Sequence, residues 1–307
     1  MQAIIKTLVL SCFAIIATLC SNAQIKPTAT YEFAKRDSSL YFDFYKSAHS
    51  ADNYTVVFVF GGGFISGARN EGYYLPYYER LVDSSFNVVA IDYRLGLKGA
   101  KNIGPVNRKP LEDAIAMAAE DLLTATKYLI DHEKELQIDS RKIILAGSSA
   151  GAITVLQADY ELCNRTKLGQ ILPEGFRYAG VMSFAGAIYS KKGKVKYRCQ
   201  PPAPTMFLHG TADRLVTYKQ IKLFNIGFIG SSKIVPQFKK KDYPYYFVRY
   251  EDLGHEVAVR ILYDFDKSMW FIDNYIVRGA KIKRDDLIND PTIERLKFGS
   301  AKPSDLY

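Results

Sequence analysis

Cysteine, histidine and tryptophan are scarce in this chain of 307 residues, which has four, four and one of them. Two of the cysteines, Cys163 and Cys199, stand without a nearby histidine cluster, which makes a poor metal site. Internal repeats and low-complexity segments are also lacking, while 48% of the residues are hydrophobic and 24% are charged. This composition excludes collagen, a disordered chain and a coiled coil, and it is typical of a globular protein with a sizeable core.

The net charge of +9 is mild for a chain of this length. The basic residues are scattered, apart from short runs at Lys239–Lys241 and Lys281–Arg284. We interpret both runs as solvated surface, and we expect no nucleic-acid partner.

Long hydrophobic runs are absent except near the amino terminus, where Lys6 precedes the apolar stretch Leu8–Leu19. The stretch is too short for an ordinary membrane span, and it ends at small residues before Gln24. This pattern predicts a signal peptide cleaved after Ala23 and export to the periplasm or beyond, with no membrane span left after cleavage. Cys20 is not expected to carry a lipid, because a large leucine precedes it where a lipobox needs a small residue.

Export would leave Cys163 and Cys199 in an oxidising compartment, where only one pairing is open to them. The sequence therefore predicts a Cys163–Cys199 disulfide. The alternative is two free thiols that are packed as small hydrophobic side chains.

Apolar runs of strand length alternate with stretches of helical period along the rest of the chain. Residues 24–307 are thus expected to form one α/β domain, a mostly parallel central sheet with helices on both faces, with a polar, basic tail from about residue 279. The strands are predicted at residues 40–45, 54–60, 87–91, 142–146, 178–184, 205–208 and 246–250. The helices are predicted within 72–84, at 111–137, from about 150, and at 255–276.

A G-x-S-x-G pentapeptide, Gly147–Gly151, lies between the strand at 142–146 and the next helix. A turn this tight strains its central residue, and the flanking glycines remove side chains that would clash there. The pattern predicts that Ser149 is held above the sheet as a nucleophile. The alternative is an unreactive turn rich in glycine and serine.

A nucleophilic serine needs a base and an acid that orients it. His255 lies in a loop after the last predicted strand, and Asp213 lies in a turn after the strand before it. The order Ser149, Asp213, His255 is that of one large hydrolase fold. We interpret His209 as a packing residue, and the remaining histidines, His49 and His132, as surface or structural residues.

The oxyanion hole is predicted after the first buried strand, in Phe60-Gly61-Gly62-Gly63-Phe64. Glycines let a substrate oxygen approach backbone N–H groups closely. Ala150, directly after the nucleophile, supplies another N–H group.

These segments, together with Ile91–Leu95, Leu208–Asp213 and Gly254–Glu256, resemble the α/β-hydrolases of the bacterial secreted carboxylesterase kind, the relatives of hormone-sensitive lipase and of acetyl and feruloyl esterases. The resemblance implies a Ser149–His255–Asp213 triad, oxyanion donors at Gly62, Gly63 and Ala150, and no cofactor or metal. Phe60 departs from the family, which has a histidine that supports the oxyanion loop.

The function expected is hydrolysis of carboxylic esters through an acyl-enzyme, on a small molecule or a polysaccharide such as an acylated or feruloylated one. A serine peptidase of the same fold is an alternative. Tyrosines after the oxyanion loop would line an aromatic pocket or simply pack: Tyr73, Tyr74, Tyr77 and Tyr78.

Two alternatives of other classes are a non-catalytic binding protein on this fold and an NAD-dependent oxidoreductase. The second rests on Gly61, Gly63 and Gly67 after a buried strand, with Asp92 ending the following strand. A P-loop is excluded because no Gly-Lys-Ser/Thr follows those glycines.

Overall fold

The computed structural model describes residues 24–48, 53–101, 107–223 and 226–295. The predicted signal peptide and His49 lie outside these ranges. Within them, no helix has the length and apolar character needed to cross a membrane.

A nine-stranded sheet forms the centre of the fold, in the order β1-β2-β4-β3-β5-β6-β8-β11-β12. The pairs β1–β2 and β2–β4 are antiparallel, and every later pair is parallel. Its strands are Ala29–Lys35 (β1), Ser39–Tyr45 (β2), Thr55–Val59 (β3), Asn87–Ile91 (β4), Ile143–Ser148 (β5), Gly180–Phe184 (β6), Thr205–Gly210 (β8), Tyr245–Tyr250 (β11) and Lys283–Ile288 (β12). The central strands are buried along their whole length, as their continuous apolar runs predict.

Helices connect the parallel strands. They are Leu75–Asp83 (α1), Lys109–Asp131 (α2), Glu133–Leu136 (α3), Ala150–Cys163 (α4), Ser231–Lys240 (α5) and Phe265–Phe271 (α6). The helix predicted at 111–137 is thus two helices, because the chain turns at His132 and then ends α3 at Gln137 in a left-handed conformation. The mostly parallel sheet with its helices confirms the predicted α/β class.

Five strands and one α-helix were not predicted, β1 and α5 among them. A small antiparallel sheet pairs Ala187–Ser190 (β7), Gln220–Leu223 (β9) and Ile226–Gly230 (β10), with β10 in the middle. The residues expected to be a basic tail contribute β12, an edge strand whose exposed and half-buried residues alternate. The sequence of β12, KRDDLI, lacks the apolar run that marks a central strand. A strand of this composition cannot be recognised from hydrophobicity alone.

The last helix was predicted at residues 255–276 and is wrong as a single element. The structure has a 3₁₀ helix at His255–Val259, then α6, then a π-helical turn at Ile272–Val277. This break matters for the site because His255 begins a short 3₁₀ helix and does not lie in a long α-helix.

The glycine-rich segment after β3 does not open a helix, because α1 begins at Leu75. A dinucleotide-binding unit places its pyrophosphate at the N-terminus of the helix that the glycines begin. The late start of α1 therefore counts against the oxidoreductase alternative.

The two cysteines predicted to pair lie side by side at the C-terminal end of α4. The backbone N–H of Cys199 donates to the carbonyl of Cys163 at 3.1 Å. Both thiols are free in the structure, Cys163 buried and Cys199 exposed. The disulfide stays a prediction of the sequence, for the exported form of the protein.

We expect reduction of that disulfide to lower the Tm but to leave kcat nearly unchanged. The bridge would close a loop of about 37 residues, which is worth roughly 3–4 kcal/mol in the chain-entropy model. The length of α4 puts Cys163 about 20 Å from Ser149, because a helix rises about 1.5 Å per residue. Two titratable thiols in the unfolded exported protein would contradict this pairing.

Candidate active site

Ser149 lies in a sharp turn between β5 and α4. Its φ of 54° and ψ of −116° are strained values for a residue with a side chain. A Cβ on Gly147 would come within 2.4 Å of the Gly151 carbonyl oxygen, and one on Gly151 within 1.9 Å of the Val59 carbonyl oxygen. These two close approaches explain why the pentapeptide needs glycine on both sides of the serine.

The structure brings Ser149, His255 and Asp213 together from the ends of three parallel strands. Ser149 Oγ lies 2.7 Å from His255 Nε2, and His255 Nδ1 lies 2.8 Å from Asp213 Oδ2. A carboxylate only accepts, so Nδ1–H donates to Asp213 and leaves Nε2 free to take the serine proton. This arrangement can activate a serine hydroxyl.

Asp213 is held as a carboxylate by N–H donors on both oxygens. Oδ1 accepts from the backbone N–H groups of Leu215 at 2.9 Å and Val216 at 3.0 Å. Burial by itself raises the pKa of Asp213, but hydrogen bonds from His209 and His255 outweigh it and lower this pKa to about 2. The orienting acid therefore stays ionised at neutral and mildly acidic pH.

His209 also contacts the triad acid, which corrects its interpretation as a packing residue. It is fully buried in β8, and its Nε2 lies 3.0 Å from the Val216 carbonyl oxygen and 3.3 Å from Asp213 Oδ2. Because the Val216 carbonyl only accepts, Nε2 carries the proton and Nδ1 pairs with the Ser231 hydroxyl at 2.8 Å. In the sequence, the spacing of four residues between His209 and Asp213 was the feature that could have predicted this contact.

We expect His209→Phe to lower kcat about tenfold with little change in KM, because Asp213 loses one N–H donor and its orientation. His209→Gln, which keeps an N–H donor, should recover part of the loss. His132→Phe is the matched control, since His132 stacks on Tyr128 and bonds to the carbonyl of that residue. Unchanged kcat in a folded His209→Phe protein would contradict a role of His209 in orienting Asp213.

Ser148, next to the nucleophile, has a different partner. Its hydroxyl donates to the Ala258 carbonyl at 2.7 Å and is buried. This bond ties the end of β5 to the 3₁₀ helix that carries His255. Ser148 is thus a structural link between the nucleophile turn and the base.

The oxyanion loop follows β3 in a left-handed conformation. Gly62 has φ of 116°, Gly63 has 64° and Phe64 has 62°. A Cβ on Gly62 would lie 2.0 Å from the Ser66 carbonyl oxygen, and one on Gly61 would lie 3.2 Å from Ser149 Cβ. The loop therefore lies against the nucleophile.

Ala150 begins α4, where backbone N–H groups lack partners within the helix. The oxyanion-donor roles of Gly62, Gly63 and Ala150 stay predictions.

The tyrosines after the loop mostly pack. Tyr74, Tyr77 and Tyr78 are fully buried, and only Tyr73 of these four is exposed, at 52%. Three of them contact Phe58. For those three side chains the structure favours packing, one of the two alternatives that the sequence left open. In the described ranges, no group of three or more side chains could hold a metal ion.

Residues 42–170 match the BD-FAE family model. Among solved structures, the chain is similar to a thermophilic esterase from the Planctomycetes species Thermogutta terrifontis, with 20% identity over 83% of this chain and 93% of that one and a TM-score of 0.59. The butyrate-bound form of that esterase is 19% identical over 84% of this chain and 96% of that one, with a TM-score of 0.57. Esterase 2 of Thermogutta terrifontis phosphoramylated by tabun is 20% identical over 79% of this chain and 95% of that one, with a TM-score of 0.53. Comparison with curated proteins gives no match.

The fold and the site define the protein as an α/β-hydrolase. The serine, histidine and aspartate are assembled in the arrangement that serine hydrolases use, and the chain is similar in fold to an esterase.

Proposed function

We propose that this protein is an exported serine carboxylesterase that works through an acyl-enzyme. The observation that carries the proposal is the hydrogen-bonded chain from Ser149 to His255 to Asp213 on a strained strand-to-helix turn. The glycine loop lies beside the serine, where an ester carbonyl oxygen would become negative.

The mechanism proceeds in two halves. In the first, Ser149 Oγ attacks the ester carbonyl carbon while its proton moves to His255 Nε2. The resulting oxyanion is stabilised by backbone N–H groups, and it collapses as Nε2 returns the proton to the leaving alcohol. In the second half, water attacks the acyl-enzyme with the same imidazole as base, which frees the carboxylic acid and Ser149.

Short acyl chains are the first substrates to test, because the similar Thermogutta terrifontis esterase is described with butyrate and with propionate bound. We propose acyl or feruloyl esters on polysaccharides as the larger substrate class.

The decisive experiment compares nitrophenyl acetate, butyrate and octanoate with methyl ferulate, acetylated xylan and a peptide anilide. Hydrolysis of esters with labelling of Ser149 by a fluorophosphonate would support the proposal. Hydrolysis of the anilide but of no ester would favour a peptidase instead. A protein that neither turns over any substrate nor reacts with the fluorophosphonate would be a non-catalytic member of the fold.

Export is tested separately, by expressing the full chain and sequencing the amino terminus of the secreted protein. We expect that terminus at Gln24. An uncleaved protein retained in the cytoplasm would contradict export, and it would leave the proposed chemistry unaffected.

A further inference from the structure

The oxyanion loop begins at Phe60, whose side chain cannot form a hydrogen bond to hold the loop. The ring of Phe60 stacks on Tyr93 with 4.4 Å between centroids. The hydroxyl of Tyr93 donates to the Phe60 carbonyl at 3.1 Å. The first residue of the loop is therefore held through its ring and its carbonyl.

The next residue, Gly61, is held through its N–H group. That group donates to the hydroxyl of Tyr74 at 2.8 Å. Ser148, the residue before the nucleophile, lies close enough to the Tyr74 hydroxyl to act on the pKa of Tyr74. A Cβ on Gly61 would lie 3.3 Å from this hydroxyl and 3.2 Å from Ser149 Cβ. One buried oxygen thus joins the oxyanion loop to the nucleophile turn.

The connection continues to the base. Ser148 donates its hydroxyl to the Ala258 carbonyl in the 3₁₀ helix that begins at His255. The series of contacts runs from Gly61 through Tyr74 and Ser148 to Ala258, and it links the oxyanion loop, the nucleophile turn and the segment that carries the base.

Tyr74 is itself rigidly placed. It precedes α1 directly, and its ring packs edge-on against Phe58 in β3 with 4.7 Å between centroids. The residue is fully buried, and burial raises the pKa of Tyr74, so the hydroxyl stays neutral and can both accept and donate. A hydroxyl on a packed ring fixes a loop more tightly than a flexible side chain would.

We propose that Tyr74 is a positioning residue that holds the Gly61–Gly63 segment against Ser149, so that the backbone N–H groups of this segment meet the developing oxyanion. Tyr74 does not touch the substrate. The inference rests on the proposed esterase function, because only a reaction with an oxyanion needs this alignment.

The test removes one oxygen. Tyr74→Phe keeps the ring and loses the hydrogen bond from the Gly61 N–H group. Tyr78→Phe is the matched control, since Tyr78 is one turn later, is equally buried, packs on the same Phe58 at 5.2 Å, and donates its hydroxyl to the Arg69 carbonyl at 3.1 Å. Both variants lose one buried hydroxyl, so their losses in Tm should be similar.

We expect Tyr74→Phe to lower kcat about 10- to 100-fold and to change KM less than about twofold. This loss in kcat is smaller than the loss on removal of an oxyanion donor itself, because the N–H groups remain and only their position changes. Tyr78→Phe should keep kcat within about twofold. Affinity for a trifluoromethyl ketone, which forms an oxyanion on the serine, should fall in parallel with kcat only in Tyr74→Phe. Equal kcat in both variants would overturn the inference and leave the esterase function standing.

A second measurement does not need turnover. Amide hydrogen exchange of Gly61 should be faster in Tyr74→Phe than in Tyr78→Phe, because only the first variant frees that N–H group. Unchanged exchange would overturn the inference. If the wild-type protein cleaves no ester, the proposed function fails, and the exchange comparison still decides whether Tyr74 holds the loop.

Discussion

Ser149→Ala is expected to lower kcat by about a million-fold, as removal of the serine does when a triad acts as one unit. The hydroxyl is the only group in the site that is both 2.7 Å from His255 Nε2 and raised on the strained turn, so no neighbour can replace it. His255→Ala should cost about as much, and the double variant should be no worse than either single one.

Ser148→Ala is the control for this prediction, because Ser148 is adjacent and buried but faces Ala258. We expect it to lose less than about tenfold in kcat, the effect of one broken structural hydrogen bond. The measurement is turnover of nitrophenyl butyrate, with mass spectrometry to find the residue that a fluorophosphonate labels. Full esterase activity in Ser149→Ala would refute the mechanism.

Asp213→Asn should lower kcat about 10⁴-fold while the protein stays folded. The backbone N–H groups of Leu215 and Val216 can still bind the amide oxygen, so the side chain keeps its place. The amide then presents N–H groups to His255 Nδ1, which shifts the ring proton to Nε2 and stops it from accepting the serine proton. Turnover with a thermal melt as the folding control checks this. Retention of more than about a tenth of the activity would contradict the role of the carboxylate.

The pH profile gives a further check on the same carboxylate. Because the pKa of Asp213 is lowered to about 2, protonation of Asp213 is not expected to cause the loss of activity below neutral pH. On the acidic side, log(kcat/KM) should therefore fall with a slope of one proton as pH decreases. A flat profile from about pH 5 to 8 would contradict a histidine base.

The same shift has a consequence for stability. A carboxyl group whose pKa is lower in the folded state than in the unfolded one stabilises the fold above its unfolded value, near about 4. That contribution is lost as the pH falls from there toward 2.

Local patterns were enough to predict the central sheet and the candidates for the triad. Buried parallel strands are continuous apolar runs, so β3, β4 and β5 could be found directly. A strained nucleophile turn needs glycines at fixed positions, and those glycines stand in the sequence around Ser149. The edge strands β1 and β12 and the small sheet of β7, β9 and β10 were missed, because short or exposed strands need no such run.

The sequence by itself determined which residues are the candidates for the chemistry, since their types and order follow from backbone geometry near each strand end. Only the tertiary structure decided what supports them. His209 was expected to pack, yet it contacts Asp213, and Tyr74 was expected in a pocket or in packing, yet its hydroxyl holds Gly61. These supports join positions far apart in the chain, and a buried polar atom reveals its partner only when folding has brought the two together.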